Sequence, residues 1–166
     1  MTDLDADLDL IRDAALAAGA LAEAERAKGL KITAKSGGSP VTNADLAVDD
    51  MLKDRLLTAR PEYGWLSEET ADSADRLSRQ RIFVVDPIDG TVAFMKNRPW
   101  WCVPIAVVET GRHVAAVIHV PSTGETYEAL TSGGARLNRR AITASDETTL
   151  DDAAVLADAR LMEGPH

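Results

Sequence analysis

Apolar residues at Leu4, Leu8, Ile11, Ala15, Ala18 and Ala22 recur at intervals of three and four, which draws one stripe along a helix and predicts a helix over residues 4–28. Asp3, Asp5 and Asp7 crowd its first turn, where carboxylates complement the helix dipole, and they read as a solvated helix start; Gly29 is placed to end it. Residues 34–40 hold two glycines and a proline and read as a loop. A second helix is predicted over residues 44–60, with Thr42 or Asn43 as cap, Leu46, Met51, Leu52 and Leu56 as its apolar face, and Pro61 at its end. Trp65-Leu66, with Trp65 buried, forms a short strand leading into Ser67-Glu68-Glu69-Thr70, and residues 71–80 are a polar surface excursion.

Beyond residue 80 the period becomes that of strands. Ile82-Phe83-Val84-Val85 is a continuous apolar run bounded by charge, as expected of a strand buried on both faces. Residues 101–108, 113–120 and 125–129 are rich in β-formers and are separated by Glu109-Thr110-Gly111-Arg112 and Pro121-Ser122-Thr123-Gly124, which predicts an antiparallel meander. Gly133-Gly134 and Asn138-Arg139 mark further turns, and residues 153–156 read as one more strand. Helices followed by a run of strands give an α+β class, two N-terminal helices packed on a largely antiparallel sheet.

The length of 166 residues corresponds to about one domain. Charge changes the picture more: 18 Lys and Arg against 27 Asp and Glu leave a net −9, which argues against nucleic-acid polymers and anionic membranes as partners. If such a protein binds an anionic substrate, something positive must intervene. No apolar run approaches the ~20 residues of a membrane helix, and Asp3, Asp5, Asp7 and Asp9 make the start unlike a signal peptide, so a cytoplasmic location is expected. Cys102, the single cysteine, excludes an internal disulfide and a cysteine-based zinc site, and its apolar neighbours predict an inert buried thiol. His113 and His119 fall in predicted strands without carboxylate or cysteine spacing and read as structural.

Candidate chemistry concentrates in Val85-Asp86-Pro87-Ile88-Asp89-Gly90-Thr91, where a buried strand ends. Two carboxylates three residues apart, constrained by a proline and followed by a glycine, can converge with an intervening carbonyl on one point. Such oxygen donors suit a hard cation such as Mg²⁺, and the N–H groups of Gly90 and Thr91 suit an anion. The same residues read equally as a strand followed by an acidic turn, because Asp-Pro and Asp-Gly are ordinary turn dipeptides. Glu68-Glu69 taken alone is a solvated pair, Asp45 a first-turn helix carboxylate and Lys35 a loop lysine; convergence of a second strand end on carboxylates is what favours a site.

Three segments together, Lys35 through Asp45 (KSGGSPVTNAD), Trp65 through Glu69 (WLSEE) and Phe83 through Phe94 (FVVDPIDGTVAF), resemble the inositol monophosphatase family of Mg²⁺-dependent phosphatases, in family order and spacing and with Pro99 and the strand that follows it. The resemblance implies that Glu68, Asp86, Asp89 and the carbonyl of Ile88 ligate metal, and that Thr91 and Asp45, with Glu68, act in positioning and deprotonating a water. It implies further that Gly90 and Thr91 hold the substrate phosphate, with Lys35 nearby. The fold implied is the N-terminal domain of the αβαβα-layered sugar-phosphatase fold. The activity implied is hydrolysis of a small phosphorylated alcohol such as inositol monophosphate, and a 3'(2'),5'-bisphosphate nucleotidase or a histidinol-phosphatase is the alternative within the family.

Family members continue into a second α/β domain whose Trp-Asp motif adds a metal ligand, and no counterpart follows Met162. The expected division is therefore residues 1–150 as the N-terminal metal-binding and catalytic domain, and residues 151–166 as the start of an otherwise absent C-terminal α/β domain. A homodimer is also expected from the resemblance, with Trp100-Trp101 placed either at its interface or in the core. The alternative from another class is a non-catalytic metal-binding or dimerisation module.

Overall fold

The computed structural model describes residues 3–34, 39–149 and 153–154. Helix α1 (Asp3–Lys28) and helix α2 (Asn43–Ala59) lie side by side on one face of a seven-stranded sheet. A two-stranded hairpin of β1 (Ile32–Ala34) and β2 (Pro40–Thr42) joins the helices. The sheet runs in the order β3 (Gly64–Ser67), β4 (Arg81–Val85), β5 (Val103–Glu109), β6 (Arg112–Val120), β7 (Glu125–Leu130), β8 (Gly134–Leu137) and β9 (Arg140–Ile142). Every neighbouring pair is antiparallel except β3 with β4, which are parallel. A 3₁₀ turn (Ala74–Ser78) lies in the crossover between those two, and a short helix α3 (Thr91–Met95) follows the end of β4. Residues 153 and 154 have no regular structure, and the rest of the strand expected over 153–156 lies outside the described residues. Among the described residues, no helix is long and apolar enough to cross a membrane.

The helical stripe is confirmed where it matters: Leu8, Ile11, Ala15, Ala18 and Ala22 are buried against the sheet. Helix α2 buries Ala44, Val48, Leu52 and Leu56, whereas Leu46, expected on its apolar face, is 48% exposed. Thr42 caps α2 through a capping box: its hydroxyl accepts from the Asp45 N–H, and the Asp45 carboxylate accepts from the Thr42 N–H. Alternation along β4 corrects the expectation of burial on both faces. Phe83 and Val85 point into the core, while Ile82 and Val84 are only half-buried on the face away from the helices. That second face carries a groove of about 300 Å³ lined by Val84, Pro104, Ala106 and Ile118 among others.

One polar feature corrects the reading of α1, and one on β6 bears out the reading of His119 as structural. Asp7 is not solvated; it is fully buried, accepting from Arg60 Nε at 2.9 Å, Tyr63 Oη at 2.8 Å and Arg81 Nη1 at 3.3 Å. Buried carboxylates are stable only when paired in this way. Burial lowers the pKa of His119, whose Nδ1 lies 3.0 Å from Thr126 Oγ1, as suits a neutral structural histidine. His113, by contrast, is exposed. Gly19 faces His119 across the helix–sheet interface, and a Cβ there would stand 2.7 Å from Pro121 Cγ and 2.9 Å from His119 Cδ2.

Candidate active site

Strands β3 and β4 are parallel, and Ser67 pairs with Val85, so Glu68 and Asp86 are the next residues at the same end of neighbouring strands. The Glu68 N–H donates to the Val85 carbonyl at 3.2 Å and fixes that junction. On its other side Asp86 donates its N–H to the Pro104 carbonyl at 3.2 Å. Pro104 has no N–H to return the bond, which is a physical reason for the β4 ladder to stop at Val85. The chain then turns: Asp86 Oδ1 accepts from the Ile88 N–H at 3.1 Å, and Asp89 and Cys102 exchange two backbone hydrogen bonds of 3.0 Å.

Gly90 follows with φ +86, a left-handed conformation, and a Cβ there would lie 2.8 Å from the Trp100 carbonyl oxygen. Its geometry starts α3 and places Thr91 against α2. The Thr91 hydroxyl lies 3.3 Å from Asp45 Oδ1 and 3.1 Å from the Ile88 carbonyl oxygen. A hydroxyl has one proton, so it serves one of these acceptors at a time. Asp45 itself is fully buried, and its Oδ2 accepts from Thr42 Oγ1 at 2.6 Å.

The structure thus brings together Asp45, Glu68, Asp86, Ile88, Asp89, Gly90 and Thr91 around the ends of β3 and β4. Lys35 lies outside the described residues. Asp86 is pushed up to about 7, first by burial, then by its hydrogen bond to Glu68 and by the negative charges of Glu68 and Asp89. Cys102 is corrected from a buried thiol to a half-buried one beside this corner, with Sγ 3.6 Å from Asp89 Oδ2. Burial, followed by the charge of Asp89, raises its thiol to about 12, so it stays protonated and unreactive. Trp101 packs edge-on against Phe94 in the core at 2% exposure, while Trp100 is 70% exposed. Trp65 is half-buried against the core, short of the full burial expected.

Among the described residues, no three His, Cys, Asp or Glu side chains are grouped so as to hold a metal ion as they stand. The donor chemistry nevertheless fits a hard divalent cation. The set is all oxygen, and the burial and like-charge repulsion that raise the pKa of Asp86 are what a cation would offset. The corner is matched in chemistry and not closed in geometry. Sequence reasoning missed Asp49, Ser67 and Thr70 behind it; the signal for Asp49 was its position one helical turn after Asp45.

The sequence profile of the Inositol monophosphatase family matches residues 3–164. The chain is 33% identical over 126 residues to an inositol-1-monophosphatase of Rhizobium meliloti (strain 1021), covering 76% of this chain and 47% of the relative. It is 35% identical over 103 residues to the 3'(2'),5'-bisphosphate nucleotidase CysQ of Escherichia coli (strain K12), covering 61% of this chain and 42% of that protein. The crystal structure of the extragenic suppressor protein suhB from Bartonella henselae superposes with a TM-score of 0.78 at 31% identity, over 86% of this chain and 55% of that one. The chain therefore spans about half the length of these relatives.

Proposed function

Because the chain belongs to the inositol monophosphatase family, we propose that the carboxylate corner at the ends of β3 and β4 serves metal-assisted hydrolysis of a small phosphomonoester. The observation that carries this reading is the meeting of Glu68 and Asp86 on one side with the Asp45–Thr91 pair on the other. Glu68, Asp86, Asp89 and the Ile88 carbonyl would hold Mg²⁺, which when bound supplies positive charge to the phosphate and acidifies a water. The Ile88 carbonyl keeps a second lone pair beyond the one facing Thr91.

The residues of the chain do the rest. Thr91 Oγ1, its proton directed to Asp45 Oδ1, turns a lone pair outward to accept the proton of an attacking water. The Thr91 proton passes to Asp45 as the water oxygen bonds to phosphorus; the phosphorus–oxygen bond to the leaving group breaks with its electron pair on that oxygen, which takes a proton from solvent water to give the alcohol. Gly90 and Thr91 stand at the first turn of α3, where N–H groups have no intrahelical acceptor and can donate to the phosphate oxygens. Lys35, which lies outside the described residues, would take a supporting role in holding the substrate, and the expected homodimer would use exposed Trp100.

An inositol monophosphate is the first substrate in this reading. A 3'(2'),5'-bisphosphate nucleotide is the second, favoured by the likeness to the CysQ nucleotidase. A phosphate-release panel with inositol 1-phosphate, adenosine 3',5'-bisphosphate and histidinol phosphate ranks them. Mg²⁺-dependent release from at least one, removed by Asp86→Asn, is expected. No release from any of the three overturns the catalytic reading for this chain and leaves the non-catalytic module.

A further inference from the structure

Helix α2 carries a second buried carboxylate one turn beyond Asp45. Asp49 is 4% exposed, and each of its oxygens accepts one hydroxyl, Ser67 Oγ at Oδ1 and Thr70 Oγ1 at Oδ2. Those two hydroxyls bracket Glu68 and Glu69 in the chain. Ser67 Oγ also accepts the Glu69 N–H at 3.3 Å, so the bracket reaches the backbone of the pair as well. A carboxylate can accept from both hydroxyls at once, whereas an amide of the same shape accepts from one and can hold the other only by donating to its oxygen, which turns that hydroxyl's proton away. The residue type is therefore matched to a double tether.

We propose that Asp49 is a positioning residue that holds residues 67–70 so that Glu68 faces Asp86. Helix α2 then sets both sides of the corner with two carboxylates about 6 Å apart along its axis. Asp45 fixes the Thr91 hydroxyl, and Asp49 fixes the strand end that carries Glu68. The cation-binding half of this inference rests on the metal-dependent reading given above; the tether itself does not.

Hydrogen exchange read by mass spectrometry on the metal-free chain tests the tether, and calorimetric titration with Mg²⁺ tests its consequence. In Asp49→Asn the amides of residues 67–70 should exchange about tenfold faster, with α1 and β5–β7 protected as in the wild type, and Mg²⁺ affinity should fall about tenfold or more. Thr70→Val cuts one arm and leaves Asp49 in place, so it should shift both readouts in the same direction by less, and it carries the comparison if Asp49→Asn does not fold. Asp49→Glu keeps both acceptor oxygens and should recover part of the affinity. If the wild type binds Mg²⁺ and the variants bind equally well, or if their 67–70 amides exchange as in the wild type, the positioning role falls and the functional reading stands. If the wild type binds no Mg²⁺, the functional reading falls and the cation-binding half falls with it.

Discussion

On the proposed metal-dependent reading, Asp86 would link stability to cation binding. Its folded-state pKa of about 7 stands above the ordinary carboxylate value of 3.8, because burial and Glu68 disfavour the charged form. The sign follows by linkage: this group's contribution to metal-free stability is present below the unfolded value and is lost as pH rises through about 7. Mg²⁺ must displace that proton, so affinity measured between pH 5.5 and 8 should rise with pH and level off above about 7. Asp86→Asn removes the repelled charge together with the ligand. In chelator at pH 8 it should melt on the order of a few degrees above the wild type by calorimetry, and it should take up no Mg²⁺. An Asp86→Asn protein that melts below the wild type under those conditions would show that the carboxylate is not under electrostatic tension.

At the scale of elements, the long periodic segments and the short strand at Trp65-Leu66 are readable in the sequence, while helix α3 and strands β8 and β9 are not. The stripe of α1 and the alternating runs of β5 to β7 record burial against one face, and burial is written residue by residue. Helix α3 has five residues, too few for a period to show, and it is started by the left-handed Gly90. Strands β8 and β9 are almost wholly exposed and carry no apolar alternation. Asp7 looked like a first-turn carboxylate because its partners Arg60, Tyr63 and Arg81 are more than fifty positions away. The site shows the same division. Its ligand candidates were legible as motifs, while Asp49 was silent because its role depends on a helix meeting a strand end.

Gly19 tests the helix–sheet packing with a sign that propensity alone gets wrong. Alanine in the middle of a helix is favoured over glycine by up to about 1 kcal/mol. Here the added methyl would meet the His119 ring on β6 and Pro121 Cγ in the turn that follows it. Gly19→Ala should therefore lower stability, by about 1–2 kcal/mol net of the propensity gain, in urea denaturation. A stabilised variant would mean that α1 can lift off β6 at little cost.

Over the whole molecule, helices cover one face of the sheet and the carboxylate corner sits at its β3–β4 end, away from the buried Asp7 ion-pair network at the start of β4. The net charge of −9 has a local counterpart, since Asp45, Glu68, Asp86 and Asp89 gather at the corner that the proposed function assigns to an anionic substrate. A bound cation would reconcile the two. Calorimetric titration of the chain with Mg²⁺ at pH 8, beside Asp86→Asn and Glu68→Gln, addresses that point most directly. Millimolar or tighter binding by the wild type, lost in both variants, is the predicted result; equal binding by all three proteins, or none by the wild type, would contradict it.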